Sequence, residues 1–405
     1  MTFDYYPYHI AITQFSNPWV ILSILIHLFL AFIAIKNFTK KSVISFGIFY
    51  YAITFSIVSN ILFPIGTFMS ERFMYMPSVG WAIIVAFGMM KILEFIKLEK
   101  KEVYVGGVVA VFLIPFLLLT VNRNKAWAND YILFTTDVKT SVESAKSNTS
   151  AGGKILEEVE KLERLLRKKA ISKKAIEKAV QQMDLREDEK TRILDGATFE
   201  EILANIRTFD KEYLEKSLYY LHRAIKIHPT YTDALLLLGN TYYRYNKNYD
   251  STWFAYERIF KINPRHKLAT KNWVLILNDS IPARKKIEYY ERLLKYNPNH
   301  FESNYQIGNL YGRKLNMLDS SIVYLEKARA ISPNQTKVYK DLGVAYGMSQ
   351  QYEKALPVML KAHQLDANDY QILVNIGVTY KLLGDIKKSN EYFLLAKQKQ
   401  NTPKQ

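Results

Sequence analysis

The sequence predicts an all-α protein in two unlike parts: a polytopic α-helical membrane domain of about four spans, followed by an α-solenoid. Three observations carry that expectation. Apolar runs dominate residues 1–121, whereas 122–405 is charged and helical in pattern, a split hidden inside a mean hydropathy of −0.11. Prolines at 229, 264, 298 and 333 recur every 34 or 35 residues, and glycines at 308, 343 and 377 keep the same period. Charge divides likewise: 12 Lys/Arg and 8 Asp/Glu precede residue 151, and 43 basic and 30 acidic residues follow. With 405 residues the chain is long enough for two or three domains.

Four apolar stretches, about Trp19 to Ile35, Val43 to Phe63, Tyr75 to Leu93 and Val103 to Val121, are long enough or nearly so to cross a bilayer. Lys91, near the end of the third, can reach the interface along its own methylenes. Residues 1–35 hold no Lys or Arg; Lys36, Lys40 and Lys41 follow the first stretch, and Lys91, Lys97, Lys100 and Lys101 follow the third. Only Arg72 lies in the loop between. That bias puts both termini and the Glu71-Arg72 loop on the non-cytoplasmic side of a bacterial inner membrane or its equivalent. The start has no basic n-region, so no cleavable signal peptide is expected. A first span entered from outside with no helix before it suggests a longer ancestor in which Met1 is internal.

The soluble part reads as repeats. Leu238-Gly239-Asn-Thr-Tyr242, Ile307-Gly308-Asn-Leu-Tyr311, Leu342-Gly343-Val-Ala-Tyr346 and Ile376-Gly377-Val-Thr-Tyr380 share one pattern. Small and bulky residues alternate downstream: Ser321, Leu325 and Ala328; Ala355, Met359 and Ala362; Ser389, Phe393 and Ala396. Glycine lets two helices approach, the small residues receive a neighbour's side chain, and proline stops the second helix. This is the tetratricopeptide (TPR) signature. About five units are expected over 230–400, the one around Trp273 lacking its glycine; at least three must stack to bury a core.

Upstream, Ser144 to Gly153 resembles the first helix of a unit and Ser217, Leu221, Ala224 and Pro229 its second. A Lys-, Glu- and Arg-rich insertion, roughly Leu165 to Asp210, parts them and is expected to be a solvated helical hairpin. The domain reading is therefore 1–121 membrane, 122–229 junction and first repeat with its insertion, and 230–400 solenoid. By repeat position the concave groove is expected to present Leu236, Asn240, Tyr243, Tyr305, Asn309, Lys340, Val344, Val374 and Lys381 to a bound polypeptide. They do not form a Lys/Asn clamp for carboxyl-terminal peptides, so no particular peptide is implied.

Several chemistries are excluded or unsupported. With no cysteine there is neither disulfide nor thiolate site. No HExxH, paired metal ligands or nucleophile motif occurs, and no metal or cofactor is expected. Gly152-Gly153-Lys154 lacks the glycine spacing and preceding strand of a phosphate loop. The formal charge of +17 comes from interspersed signs. Solvated helix faces explain it, with anionic lipid headgroups or acidic polymers as the alternative; no Arg-rich stripe or module points to nucleic acid. His228, His266 and His300 fall at repeat boundaries and are expected to face solvent. His27, inside the first span, is either functional by virtue of its depth or a neutral imidazole bonded to a neighbouring helix.

The segment Asn60 to Gly80 carries Pro64, Gly66 and then Glu71-Arg72-x-x-Tyr75-x-Pro77-Ser78-x-Gly80 between two apolar stretches. It resembles the corresponding segment of the transmembrane-and-TPR-containing (TMTC) proteins, regarded as O-mannosyltransferases of the GT-C fold. Arg123 to Phe134 resembles that family's link from last span to first repeat, where Trp127 and Tyr131 are expected to form an interfacial belt. Phe3-Asp4-Tyr5-Tyr6 resembles an internal loop segment of the family. The resemblance covers nearly all of this chain but only the C-terminal part of the family's architecture.

It implies a lipid-phosphate donor site in which Arg72, a fork of donors matched to phosphate oxygens, is oriented by Glu71, with Tyr75 against the lipid or sugar. It also implies an acidic residue in the first outer loop, which would lie upstream of Met1; no catalytic residue is therefore expected in this chain. The leading expectation is the C-terminal portion of a GT-C-type glycosyltransferase that moves a sugar from a lipid phosphate to protein, the repeats presenting the acceptor. A non-catalytic membrane-anchored scaffold, or a relative of O-antigen ligases and polymerases, are the alternatives.

Overall fold

The computed structural model describes residues 13–59, 71–96, 101–167 and 172–400. All regular structure among them is helical. Contacts divide the chain into two compact units, Met1–Ala255 and Tyr256–Gln405.

In the first unit α1 spans Pro18–Lys36, opened by Pro18 at a position where a missing N–H is harmless and by Asn17, whose side chain accepts from the Trp19 amide at 2.9 Å. After it come α2 (Val43–Val58), α3 (Tyr75–Ile96) and α4 (Lys101–Asn124). Three segments are long and apolar enough to cross a membrane: Pro18–Lys36, Tyr75–Glu94 and Gly106–Trp127. Helix α2 is apolar but has 16 residues. At 1.5 Å per residue it reaches only about 24 Å of a roughly 30 Å hydrocarbon core. The rest of the stretch expected to run to Phe63 lies outside the described residues. Large apolar side chains such as Phe29 and Leu117, each 62% exposed, face outward as lipid-facing residues must.

The first three helices meet at small residues. The Ser45 hydroxyl donates to the Ala34 carbonyl at 2.6 Å, tying α1 to α2. A Cβ added to Gly80 of α3 would lie 2.5 Å from the Gly47 carbonyl oxygen and 3.0 Å from the Tyr51 nitrogen, so the two backbones touch. His27 completes the set. Its Nδ1 donates to the Ser23 carbonyl (2.8 Å) and its Nε2 lies 3.2 Å from the Tyr51 hydroxyl on α2, so the ring is bonded to the neighbouring helix.

Beyond the spans, α5 (Asp130–Asp137), α6 (Ala145–Leu166), α7 (Lys173–Gln181), α8 (Glu187–Leu194), α9 (Phe199–Ile227) and α10 (Thr232–Asn246) follow. Helices α6 and α9 pair as a repeat does. A Cβ on Gly152 would lie 2.8 Å from Leu221, and the Ser217 hydroxyl donates to the Gly152 carbonyl at 2.8 Å. The insertion is not a solvated hairpin. Ile176, Val180, Ile193, Ile202, Ile206 and Phe209 are at most 2% exposed and share one core with Ile155, Val159 and Leu162 of α6. Most of its charges occupy the outer faces of a small helical bundle, with Glu189 and Lys190 buried.

Helix α11 (Tyr249–Ile262) contains the division between the units. The second unit continues with α12 (Lys267–Ile276), α13 (Ala283–Leu294), α14 (Phe301–Arg313), α15 (Leu318–Ile331), α16 (Thr336–Met348), α17 (Tyr352–Leu365), α18 (Tyr370–Leu382) and α19 (Ile386–Gln400). Successive hairpins stack, and their glycines abut side chains. A Cβ on Gly343 would lie 2.5 Å from Met359, and one on Gly377 would lie 3.0 Å from Phe393. In the glycine-less unit Trp273 is fully buried, its indole N–H donating to the Tyr289 carbonyl at 3.3 Å.

Candidate functional site

The Glu71-Arg72 segment forms a 3-10 turn, Glu71–Met74, that runs directly into α3. Chain continuity brings Tyr75 to the same turn; it is 76% exposed. The later residues of the motif have structural work. Pro77 sits buried in the first turn of α3, where its missing N–H would have had no helical partner. Ser78 donates to the Tyr75 carbonyl at 2.7 Å, and Gly80 forms the crossing with α2. Pro64, Gly66 and Phe3 to Tyr6 lie outside the described residues.

At the junction, Trp127 is 56% exposed but Tyr131 is 1% exposed, which corrects the expected aromatic belt. Tyr131 points into the insertion and donates to Glu189 at 3.0 Å. Tyr213 also donates to Glu189, and Arg186 donates to Thr135 at 2.7 Å. Burial, reinforced by the Glu189 carboxylate, raises the pKa of both phenols well above its ordinary value, so both stay donors. Burial likewise pushes Asp210 up to about 7, with Glu163 adding repulsion.

Of the expected groove residues in the second unit, the structure gathers Tyr305 and Asn309 on one carboxylate. Asp341 of α16 accepts from the Tyr305 hydroxyl (2.8 Å), the Asn309 amide (2.9 Å) and Arg313. Lys340 donates to Asp369 at 2.6 Å, and Lys337 donates to Glu302 at 3.2 Å with its ammonium 4.2 Å from the Tyr305 ring centroid. These pairs cross from one repeat's first helix to the next. Val374 is half-buried and Lys381 exposed. A cavity of about 390 Å³ opens between α14, α15 and α16, lined among others by Asn309, Gly312, Arg313, Asp341, Val344 and Met348. Its lining mixes Leu318, Leu325, Val344 and Met348 with Asn309, Arg313 and Asp341.

In the first unit Leu236, Asn240 and Tyr243 lie at helical spacing along α10, all half-buried. Tyr243 accepts from Lys247 at 2.7 Å. The reading by repeat position missed Asp341, Arg313 and Lys337. A signal existed: the partners stand 28, 29 and 35 residues apart, close to one repeat, with opposite charge. The boundary histidines are also more than solvent-facing. His266 and His300 cap α12 and α14, their Nδ1 atoms accepting from Ala269 (3.2 Å) and Ser303 (3.3 Å). Burial lowers the pKa of His300, which keeps that nitrogen an acceptor.

A tetratricopeptide repeat family model matches residues 301–335 and 370–398. Over 329 residues, 81% of this chain, the sequence is 22% identical to mouse protein O-mannosyl-transferase TMTC3, covering 27% of that protein. Human TMTC3 is 22% identical over 378 residues, covering 76% of this chain and 40% of its own length. The chain is TMTC-like and carries TPR repeats. The TMTC-like sequence spans well under half the length of these relatives. Drosophila Tmtc3 is 32% identical over 94 residues, 23% of this chain and 10% of that one. Among solved structures, MamA 41-end from Desulfovibrio magneticus RS-1 is 20% identical, covers 51% of this chain and 97% of its own, and has a TM-score of 0.30. YrrB, a TPR protein with an unusual peptide-binding site, is 16% identical over 56% of this chain and 94% of its own, with a TM-score of 0.27.

Proposed function

We propose that this membrane protein is the C-terminal portion of a GT-C-type glycosyltransferase, transferring a sugar from a lipid-phosphate donor to protein. Residues 1–121 form the membrane part, 122–229 the junction, and 230–400 the repeats that present the polypeptide acceptor. The repeats and the N-terminus face the non-cytoplasmic side. Similarity to proteins named protein O-mannosyl-transferases over most of the chain supports the chemistry. The observation that carries the site is the 3-10 turn at the mouth of a span, where Glu71, Arg72 and an exposed Tyr75 follow one another.

In this reading Arg72 contacts the donor phosphate, Glu71 orients Arg72, and Tyr75 packs on the lipid or sugar. In the first unit the polypeptide meets Leu236, Asn240 and Tyr243; in the second it meets the cavity at Asn309 and Val344, with Tyr305, Lys340, Val374 and Lys381. Tyr305 and Lys340 act there mainly by holding neighbouring repeats together, because their polar atoms are already engaged.

The test is donor binding by the chain in nanodiscs, read with a polyprenyl-phosphate sugar. Arg72→Ala is expected to weaken it at least about tenfold, the worth of one charge-assisted pair. Peptide binding should be unchanged. Equal donor affinity in the variant would overturn the donor site and leave a membrane-anchored scaffold.

A further inference from the structure

The insertion has a charge distribution that its packing does not explain. From Arg164 to Lys178, fifteen residues hold seven Lys/Arg and one Asp/Glu. Several other cations in and beside the insertion are paired: Lys161 with Glu158 at 2.6 Å, Lys190 with Glu187 at 2.9 Å, Arg192 with Glu212 at 3.0 Å. At this end Arg164, Arg167, Lys174 and Lys178 are exposed, and only Arg167 has an acidic neighbour, Glu163 at 3.5 Å. Lys174 and Lys178 stand one turn apart on α7, opposite the face that buries Ile176 and Val180. Like charges at that spacing repel, which an isolated helix face does not need.

The fold also says where this end lies. Arg123, at the end of the span-forming α4, pairs with the buried Asp137 at the far end of α5. Asp130, at the near end of α5, follows the span's last residue, Trp127, by three positions. Both ends of α5 therefore stay close to the end of the span. Helix α6 runs back beside it. Ser141 donates to Ser147 at 2.9 Å next to the far end of α5, and Lys154 pairs with Asp130 at 3.3 Å at its near end.

The twelve residues after Lys154 then carry α6 about 18 Å further, past the near end of α5. Helix α8 is pinned to α5 through Tyr131–Glu189 and Arg186–Thr135, which holds the whole insertion there.

We infer that the basic end of the insertion, formed by Arg164, Arg167, Lys174 and Lys178, binds anionic phospholipid headgroups beside the last span. Lysine and arginine near a negatively charged leaflet are each held by its surface potential, and the attraction fades within a Debye length. The contact would brace the insertion and the first repeat against the bilayer independently of any donor chemistry.

The chain has no cysteine, so Ala175→Cys gives a single labelling site between the cations. With a nitroxide there, collisions with a headgroup-chelated nickel lipid are measured in nanodiscs of phosphatidylcholine alone or with roughly one-third phosphatidylglycerol. Collisions should be about tenfold more frequent in the anionic discs and fall to the neutral level in about 0.5 M salt. They should also fall when R164Q, R167Q, K174Q and K178Q are combined. Equal collision rates in the two lipids, or an anionic signal that salt leaves intact, would overturn the inference. The salt arm decides it alone should the combined variant fail to fold.

Discussion

Glycine holds helices together in both regions of this chain, but against different things. In the membrane region Gly80 faces backbone: its Cβ position lies 2.5 Å from the Gly47 carbonyl oxygen. In the repeats Gly152, Gly308, Gly343 and Gly377 face the side chains of Leu221, Leu325, Met359 and Phe393. The difference follows from the solvent. Lipid gives apolar side chains no reason to leave it, so spans associate through close backbone packing. In water, hydrophobic burial drives the repeats together, and a glycine needs only to clear room for a bulky residue.

The largest expected effect tests that contrast on the membrane side. Gly80→Leu forces α2 and α3 apart, since neither the Gly47 carbonyl nor the Tyr51 amide can rotate away. A cost above about 3 kcal/mol is expected, beyond ordinary overpacking. It should appear as a lowered unfolding midpoint in detergent together with altered Trp81 emission, because Trp81 packs 5.6 Å from Tyr51 at this crossing. A variant with native Trp81 emission would show that the crossing tolerates separation.

Next in size, Asp341→Ala removes the carboxylate that Tyr305, Asn309 and Arg313 share. Leaving those donors unpaired should cost about 2–3 kcal/mol, read by denaturant unfolding of the repeat region. Gly343→Ala sharpens the comparison from the other direction. The new methyl would lie 2.5 Å from Met359 Cγ, so the buried Met359 must move as a whole, while alanine returns up to about 1 kcal/mol of helix propensity over glycine. A net loss of about 1–2 kcal/mol is expected; a loss as large as that at Gly80 would mean that the repeats yield no more readily than packed backbones do.

Local periodicity made the repeats legible. The glycine-and-small-residue pattern predicted the hairpins, and the Ser321 hydroxyl bonded to the Gly308 carbonyl at 2.8 Å recurs as Ser217 with Gly152 despite the insertion between them. The same reading failed where partners are remote in sequence. Tyr131 looked interfacial because its neighbours are aromatic and polar, yet it is buried by Glu189, 58 residues on. The insertion looked solvated because it is rich in Lys, Glu and Arg. Its few isoleucines, valines and leucines share one face per helix, and only the long α6 and α9 supply a surface to cover them. In the Glu-Arg motif the sequence could not separate Gly80, which packs, from Tyr75, which is exposed, because both fall in one recognisable string.

The last expected effect depends on pH and lies where the junction meets the first repeat. Asp210 of α9 has one carboxylate oxygen buried without a hydrogen bond and is repelled by Glu163 of α6, itself held by Arg244 of α10. Burial first, and that repulsion second, raise it from its ordinary 3.8 to about 7. The folded chain therefore keeps a proton that the unfolded chain has released, and stability must fall as pH rises between those two values. Above about 7 the carboxylate is ionised in both states and the loss is complete. Asp210→Asn, neutral throughout, should match the parent at pH 4 and exceed it at pH 8, a divergence that paired melting curves across that range would reveal. Parallel curves would place Asp210 in contact with water. The insertion would then be a looser addition to the first repeat than its shared core implies.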